Sequence, residues 1–113
     1  MTTDADMNFI SGMSAFEAKE FVRAVQFLLP FAEKGDPDAQ HRVAIMFQNG
    51  LGMVKKEAMA FKWMKAAAEQ GHAVAQHGLG FMYMDGDCVE KDGAKAVEWF
   101  SKAADQGLVE SRR

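Results

Sequence analysis

Apolar residues along this chain recur at the spacing of a helix face and do not alternate every second residue. The i, i+4, i+7, i+8 spacing of such a face describes the apolar residues of segment 38–48, which are Ala39, Val43, Met46 and Phe47. A second apolar face runs from about Glu57 to Gln70. Because no stretch alternates at period two, the pattern predicts an all-α protein without a sheet.

Glycine, aspartate and proline mark where these helices end and begin. Gly50 and Gly71 follow the two apolar segments, and glycine supplies the positive φ that commonly ends a helix. Between two helices stands Gly35-Asp36-Pro37, in which the glycine ends one helix and the aspartate caps the next. Pro37 then occupies the first turn, where its missing N–H has no cost. These signals predict helix hairpins in tandem.

The chain repeats itself at a distance of 36 residues. Shifting the sequence by this distance gives 13 identities over the 33 positions from 39 to 71, among them Trp63 with Trp99. A weaker copy upstream registers when about five residues are removed from its loop, which places Phe16 opposite Phe47. We therefore predict one domain, 1–113, with units at about 8–36, 37–72 and 73–108. Residues 1–6 and 109–113 are expected to be flexible.

The repeated unit resembles the Sel-1-like repeat, a relative of the tetratricopeptide repeat. Residues 75–107 carry its pattern as Leu79-Gly80, Met82-Tyr83, Gly86, Val89, Lys91-Asp92, Ala96, Trp99, Ala103-Ala104 and Gln106-Gly107. Residues 39–71 are a looser copy, and the resemblance covers roughly residues 12 to 110. It implies a right-handed α-α superhelix of about three antiparallel hairpins that acts as an adaptor for other proteins.

The chain departs from the family pattern at three points. Lys56 replaces the aspartate that would cap the second helix, as Asp92 does in the next unit. Cys88 stands where Gly52 stands one unit earlier. The paired cysteines of the disulfide-linked bacterial branch are missing, which argues against that secreted subgroup.

Composition and charge exclude several function classes. The formal net charge is −3 without a basic cluster, so we expect no nucleic-acid partner. No apolar run approaches the ~18 residues that span a bilayer, and we expect no membrane partner. Cys88 is the single cysteine, so no intrachain disulfide forms. With no secretory signal at the N-terminus, we expect a cytoplasmic and bacterial protein.

Catalytic and metal-binding constellations are weak in this sequence. Cys88 has only Lys91 nearby to activate it, and we expect no catalysis from it. His41 and His77 occupy equivalent positions on helices expected ~8–10 Å apart, too far to share a metal without further ligands. We therefore expect no enzyme activity, no metal and no cofactor. Binding or hydrolysis of β-lactams, associated with cysteine-rich relatives, remains a minor alternative because no serine–lysine motif is found around Ser11, Ser14 or Ser101.

A partner-binding face is predicted on the first helix of each unit, which the resemblance places on the concave side. The residues that the packing pattern leaves over are His41, Arg42, Ile45, Gln48, Asn49, His77, Phe81, Met84 and Asp85. Ile45 and Phe81 are large apolar residues at a position that packing within one unit does not need, so they are the main candidates for binding a protein or peptide. The alternative is that both fill the groove between neighbouring units.

The end of the last unit is a second candidate surface. A solenoid needs a polar cap over its terminal helix, and the segment 93–106 presents Val97, Phe100 and Ala103 with little chain left to cover them. These residues are predicted to mediate self-association, unless the array is longer than the chain shown here.

Overall fold

Six α-helices account for most of residues 3–108, the part of the chain that the computed structural model describes. They are α1 (Asp4–Glu17), α2 (Phe21–Glu33), α3 (Pro37–Asn49), α4 (Glu57–Glu69), α5 (Ala73–Asp85) and α6 (Gly93–Asp105). No strand occurs within these residues. Each helix packs mainly on the helices before and after it in the chain, so three hairpins form an all-α helical-repeat superhelix.

The predicted helix boundaries follow from local capping. Gly50 ends α3 in the left-handed conformation with φ of 66°. The Asp36 carboxylate accepts a hydrogen bond of 3.0 Å from the Ala39 N–H, and Pro37 occupies the first turn. Lys56 makes no side-chain cap at the start of α4, as its replacement of aspartate predicts. The sequence signals for this hairpin are confirmed.

The first unit begins earlier than the repeat register predicts. Helix α1 starts at Asp4 and not near residue 8, because Thr3 and Asp6 form a capping box that organises its first turn. The loop from α1 to α2 comprises residues 18–20, whereas the other two intra-unit loops comprise residues 50–56 and 86–92. The tighter first hairpin is thereby confirmed, with four residues fewer rather than about five. Residues 1, 2 and 109–113 lie outside the described part of the chain.

Small residues in register allow the helices to approach closely. Ala24, Ala60 and Ala96 recur at the 36-residue distance and are at most 2 % exposed. Trp63 and Trp99 fill the space beside them and are also buried. Alanine removes the side-chain bulk that would separate two helices, so the indole rings pack into the hairpins. This confirms a structural role for both tryptophans.

Buried glutamines connect successive units on one edge of the superhelix. The Gln40 side-chain amide donates to the Ala32 carbonyl at the end of the preceding unit, and Gln76 donates to Ala68 in the same way, both at 3.1 Å. Each buried glutamine also accepts a hydrogen bond from a glutamine 30 residues later, either Gln70 or Gln106. The repeat thus satisfies polar groups that stacking would otherwise bury without partners.

Candidate interaction surface

The outward face of the first helices carries one row of residues per unit. Because an α-helix turns ~100° per residue, positions i, i+7 and i+11 lie along one line. We call these lines the front rows: Asp38, Ile45 and Asn49 on α3, and Val74, Phe81 and Asp85 on α5. Val74 is 47 % exposed, Ile45 is half-buried against the core, and Phe81 is also half-buried. The two apolar positions identified from the sequence therefore lie within the front rows, although neither is fully exposed.

One flank of the α3 front row is packed against the N-cap residue of α5 and the loop that follows α5. The His41 ring stacks on His72, with ring centroids 4.9 Å apart and planes inclined by 29°. The Gln48 side-chain amide donates a hydrogen bond of 2.8 Å to Asp87 in the loop after α5. A third contact joins His72 Nε2 to Asp38 Oδ1 at 2.9 Å. We call these three contacts the seam. His41 and Gln48 thus make contacts with α5 and the loop after it, and they lie beside the front row rather than in it.

The opposite flank of α3 faces the first unit. The Arg42 guanidinium lies over the Phe16 ring, 5.8 Å from its centroid. The same side chain donates to the Asp38 carbonyl oxygen at 3.3 Å. Its surface is consequently small, with 22 % of the side chain exposed. Arg42 therefore joins two units and lies beside the front row rather than in it.

On α5, the flank equivalent to the one that carries His41 and Gln48 on α3 forms an aromatic cluster with α6. Phe81 lies edge-on to Phe100, with centroids 4.7 Å apart, and His77 lies 5.5 Å from Phe100. Met84 corresponds in register to Gln48 and is 36 % exposed. On α3 the equivalent flank contacts α5 and the loop after it. His77 and Met84 lie in the last described unit, so their flank is at the end of the described superhelix. Of the nine predicted partner-binding residues, the front rows retain Ile45, Asn49, Phe81 and Asp85.

The end of the last described unit is partly apolar. Val97 is 65 % exposed, whereas its counterpart Phe61 packs edge-on against Tyr83 of the next unit at 5.9 Å. Ala104 is exposed, although its counterpart Ala68 is 1 % exposed. The exposed positions are those that a following unit would cover.

Two members of the predicted self-association set need correction. Ala103 has no exposed surface, because it faces inward beside α5 like its buried counterpart Ala67. Phe100 is half-buried, since its ring covers Gly80 and contacts the aromatic side chains of α5. Val97 remains from the predicted set, and Ala104 is a position that sequence reasoning missed. Ala104 differs from its counterpart Ala68 only in exposure, which the sequence does not indicate.

The His72 ring contacts the ring of His41. Burial lowers the pKa of His41 to about 4, and the nearby His72 and Arg42 add to this effect while Asp38 opposes it. His41 is therefore neutral at physiological pH. No metal pair of histidines arises from these contacts, since His72 uses both ring nitrogens for bonds within the protein.

Cys88 lies in a strained loop beside two acidic side chains. Its φ is 67°, in the left-handed region that Gly52 occupies one unit earlier. Burial, and then the neighbouring Asp87, raises the pKa of the thiol to about 11. A thiol held protonated is a poor nucleophile, which argues against a catalytic cysteine. Glu57, Asp87 and Cys88 place three potential ligand atoms within 4.8 Å of one another, a grouping that spacing along the chain does not predict.

The serines do not form a recognisable catalytic group. Ser11 and Ser14 line a shallow depression on α1 together with Glu20 and Arg23, and these two charged residues form an exposed ion pair of 3.6 Å. Ser101 is exposed on α6, in another unit. Nothing in this arrangement favours β-lactam chemistry.

Comparisons with known proteins agree on one family. Residues 37–72 and 73–108 each match the family model of the Sel1 repeat. The crystal structure of a Sel1 repeat protein from Oxalobacter formigenes superposes with a TM-score of 0.84 at 35 % identity, covering 89 % of this chain and 40 % of that one. A protective antigen with an SLR fold from uropathogenic Escherichia coli superposes with a TM-score of 0.85 at 33 % identity, covering 92 % of this chain and 23 % of that one.

This chain spans less than half the length of either solved structure. No curated protein is similar enough in sequence to count as a match. Among the helices of residues 3–108, none has the length and apolar character needed to cross a membrane.

Proposed function

We propose that this chain, which belongs to the Sel1 repeat family, binds a protein or peptide partner through the front rows of α3 and α5. Sel1 repeat proteins are in general protein–protein interaction modules, and their fold is typically a non-catalytic scaffold. The finer proposal concerns the surface that makes the contact.

The exposure of Val74 is the observation that carries this proposal. Its side chain is 47 % exposed on a helix whose opposite face is buried. Its counterpart in the preceding unit is Asp38, so packing of the unit does not require an apolar residue at this position. Val74 shares its line with Phe81, and Ile45 occupies the equivalent line of the preceding unit, so the proposal joins the apolar residues of both rows into one binding surface.

The chemistry of the front rows favours a partner with an apolar anchor. Three apolar side chains, Ile45, Val74 and Phe81, are bordered by polar groups such as Asn49. Interfaces of this kind place apolar side chains at the centre and hydrogen-bonding groups at the rim. The partner is therefore expected to insert a large apolar residue between α3 and α5.

A pull-down with matched charge substitutions tests the proposal. Val74→Glu places a charge in the strip, while Val22→Glu places the same charge on α2, where the valine is 60 % exposed. Both substitutions are at exposed positions, so the fold is expected to tolerate them. Proteins captured by the parent chain and by Val22→Glu, but lost with Val74→Glu, support the front-row interface. Equal capture by all three chains contradicts it.

Self-association through the end of α6 is a second candidate. It is favoured by the exposure of Val97 and Ala104 at positions that are packed in the preceding unit. Sedimentation velocity over a range of concentrations tests it. A dimer or longer assembly that Val97→Glu abolishes and Val22→Glu preserves supports this candidate, whereas a monomer at every concentration contradicts it.

A further inference from the structure

The side chain that caps helix α5 is an imidazole. The Ala75 N–H donates a hydrogen bond of 3.1 Å to Nδ1 of His72. In the preceding unit the carboxylate of Asp36 accepts the equivalent bond from Ala39 at 3.0 Å. Histidine is not among the residues that usually cap helices. Two successive units thus have the same cap geometry, made once by a carboxylate and once by an imidazole, which can bind a second proton.

The hydrogen bonds of His72 define where its proton lies. Because Nδ1 accepts a backbone N–H, it carries no proton, and the neutral ring carries its proton on Nε2. Nε2 lies 2.9 Å from the Asp38 carboxylate and donates to it. A second proton must therefore bind at Nδ1, where it meets the Ala75 N–H. Protonation of His72 replaces the acceptor of the cap with a donor.

The surroundings of His72 extend this effect to the seam. Its ring stacks on His41, which lies on α3 close to Asp38 and Arg42. A cation on His72 faces the partly buried His41 ring, which burial and the Arg42 charge already keep neutral. On protonation His72 keeps its bond to Asp38, so the hydrogen bond that is lost is the one from the Ala75 N–H in the first turn of α5.

We propose that His72, with Asp38 and His41, makes the joint between the second and third units sensitive to acid. Protonation of His72 removes the cap from the first turn of α5 at Nδ1, while the bond from Nε2 to Asp38 persists, so the loosening is confined to the start of α5. The joint shares Asp38 with the front row of α3 and adjoins Val74 on α5, but its test needs no bound partner.

Nuclear magnetic resonance resolves this joint with a control inside the same molecule. Backbone amide protection is measured between pH 7.5 and pH 5.0 and corrected for intrinsic exchange. Protection of Ala75 is expected to fall about fivefold relative to that of Ala39, the factor that corresponds to losing an N-cap worth ~1 kcal/mol. The amide signal of Ala75 is expected to shift with the same midpoint as the His72 ring.

A non-titrating cap supplies the second comparison. His72→Asn retains a good capping residue and removes the imidazole, so protection of Ala75 relative to Ala39 is expected to stay constant over this range. Parallel changes of Ala75 and Ala39 in the parent chain overturn the proposal. So does an Ala75 response that persists in His72→Asn. If that variant folds poorly, the comparison of Ala75 with Ala39 in the parent chain still decides the proposal.

Discussion

The Gln76 side chain donates a hydrogen bond to the Ala68 carbonyl across the boundary between the second and third units, at a distance of 3.1 Å. It also accepts one of 2.9 Å from Gln106. The buried amide therefore connects the end of α4, the start of α5 and the end of α6. Stacking of the units depends on this polar contact as well as on apolar packing.

Gln76→Leu is expected to lower the free energy of unfolding by about 1–3 kcal/mol, because it leaves the Ala68 carbonyl and the Gln106 amide with fewer partners. Urea denaturation followed by circular dichroism measures this loss. Gln26→Leu changes an exposed glutamine on α2 and is expected to shift stability by less than ~0.5 kcal/mol. Equal effects of the two substitutions would show that the buried glutamine is not a structural link.

Gly80→Ala is expected to destabilise the protein by about 1–3 kcal/mol. A Cβ at this position would lie 2.7 Å from the Phe100 ring, which Phe81 holds at a centroid distance of 4.7 Å. Gly93→Ala is the matched control, since a Cβ there meets nothing within 4 Å in the first turn of α6. Thermal unfolding of both variants checks the contrast. A loss of stability in Gly93→Ala alone would contradict the close packing described for α5 and α6.

Cys88→Gly is expected to stabilise the chain by about 0.5–1 kcal/mol, because glycine adopts a φ of 67° without the penalty that a Cβ carries. The reverse experiment at the equivalent position is Gly52→Ala, where a Cβ would lie 2.5 Å from the Phe21 backbone carbon. That variant is expected to be clearly less stable than the parent chain. Differential scanning calorimetry compares the three, and a lower melting temperature for Cys88→Gly would argue against strain at Cys88.

Stability is expected to fall as the pH falls from 6.5 towards 4, because the pKa of His41 is lowered in the folded chain from 6.5 to about 4. Within this window the unfolded chain binds a proton at His41 that the folded chain does not. The contribution is fully present above pH 6.5, and on the order of 1–2 kcal/mol is lost by pH 5 after allowing for partial exposure. Urea midpoints at pH 7.5 and 5.0 measure it. His41→Phe is expected to show a smaller difference between the two pH values, and an unchanged difference would count against burial of His41 as the cause.

The sequence predicts helix ends well in this chain because single residues determine them. Gly50 adopts the left-handed conformation and Asp36 caps α3, each through contacts within a few residues. Close packing of Ala60 and Ala96 is likewise predictable, since a residue repeated in register performs the same contact in each unit.

The surface was harder to predict because it depends on how one unit is rotated against the next. His41 and Ile45 lie one turn apart on the same helix, yet His41 reaches the N-cap residue of α5 while Ile45 lies in the front row. Spacing along the chain identifies a face of about half the helix and does not divide it into a front and two flanks. The stack of His41 on His72, 31 positions apart in the sequence, follows only from the three-dimensional arrangement of the units.

Site-specific photo-crosslinking tests the front-row interface most directly. A photoreactive amino acid is placed singly at position 74, 22 or 97, so that each chain reports on the front row, on α2 or on the end of α6. If the front rows bind the partner, a crosslinked partner protein is expected from position 74 and none from position 22. A partner crosslinked equally from 74 and 22, or only from 97, would contradict binding through the front rows of α3 and α5.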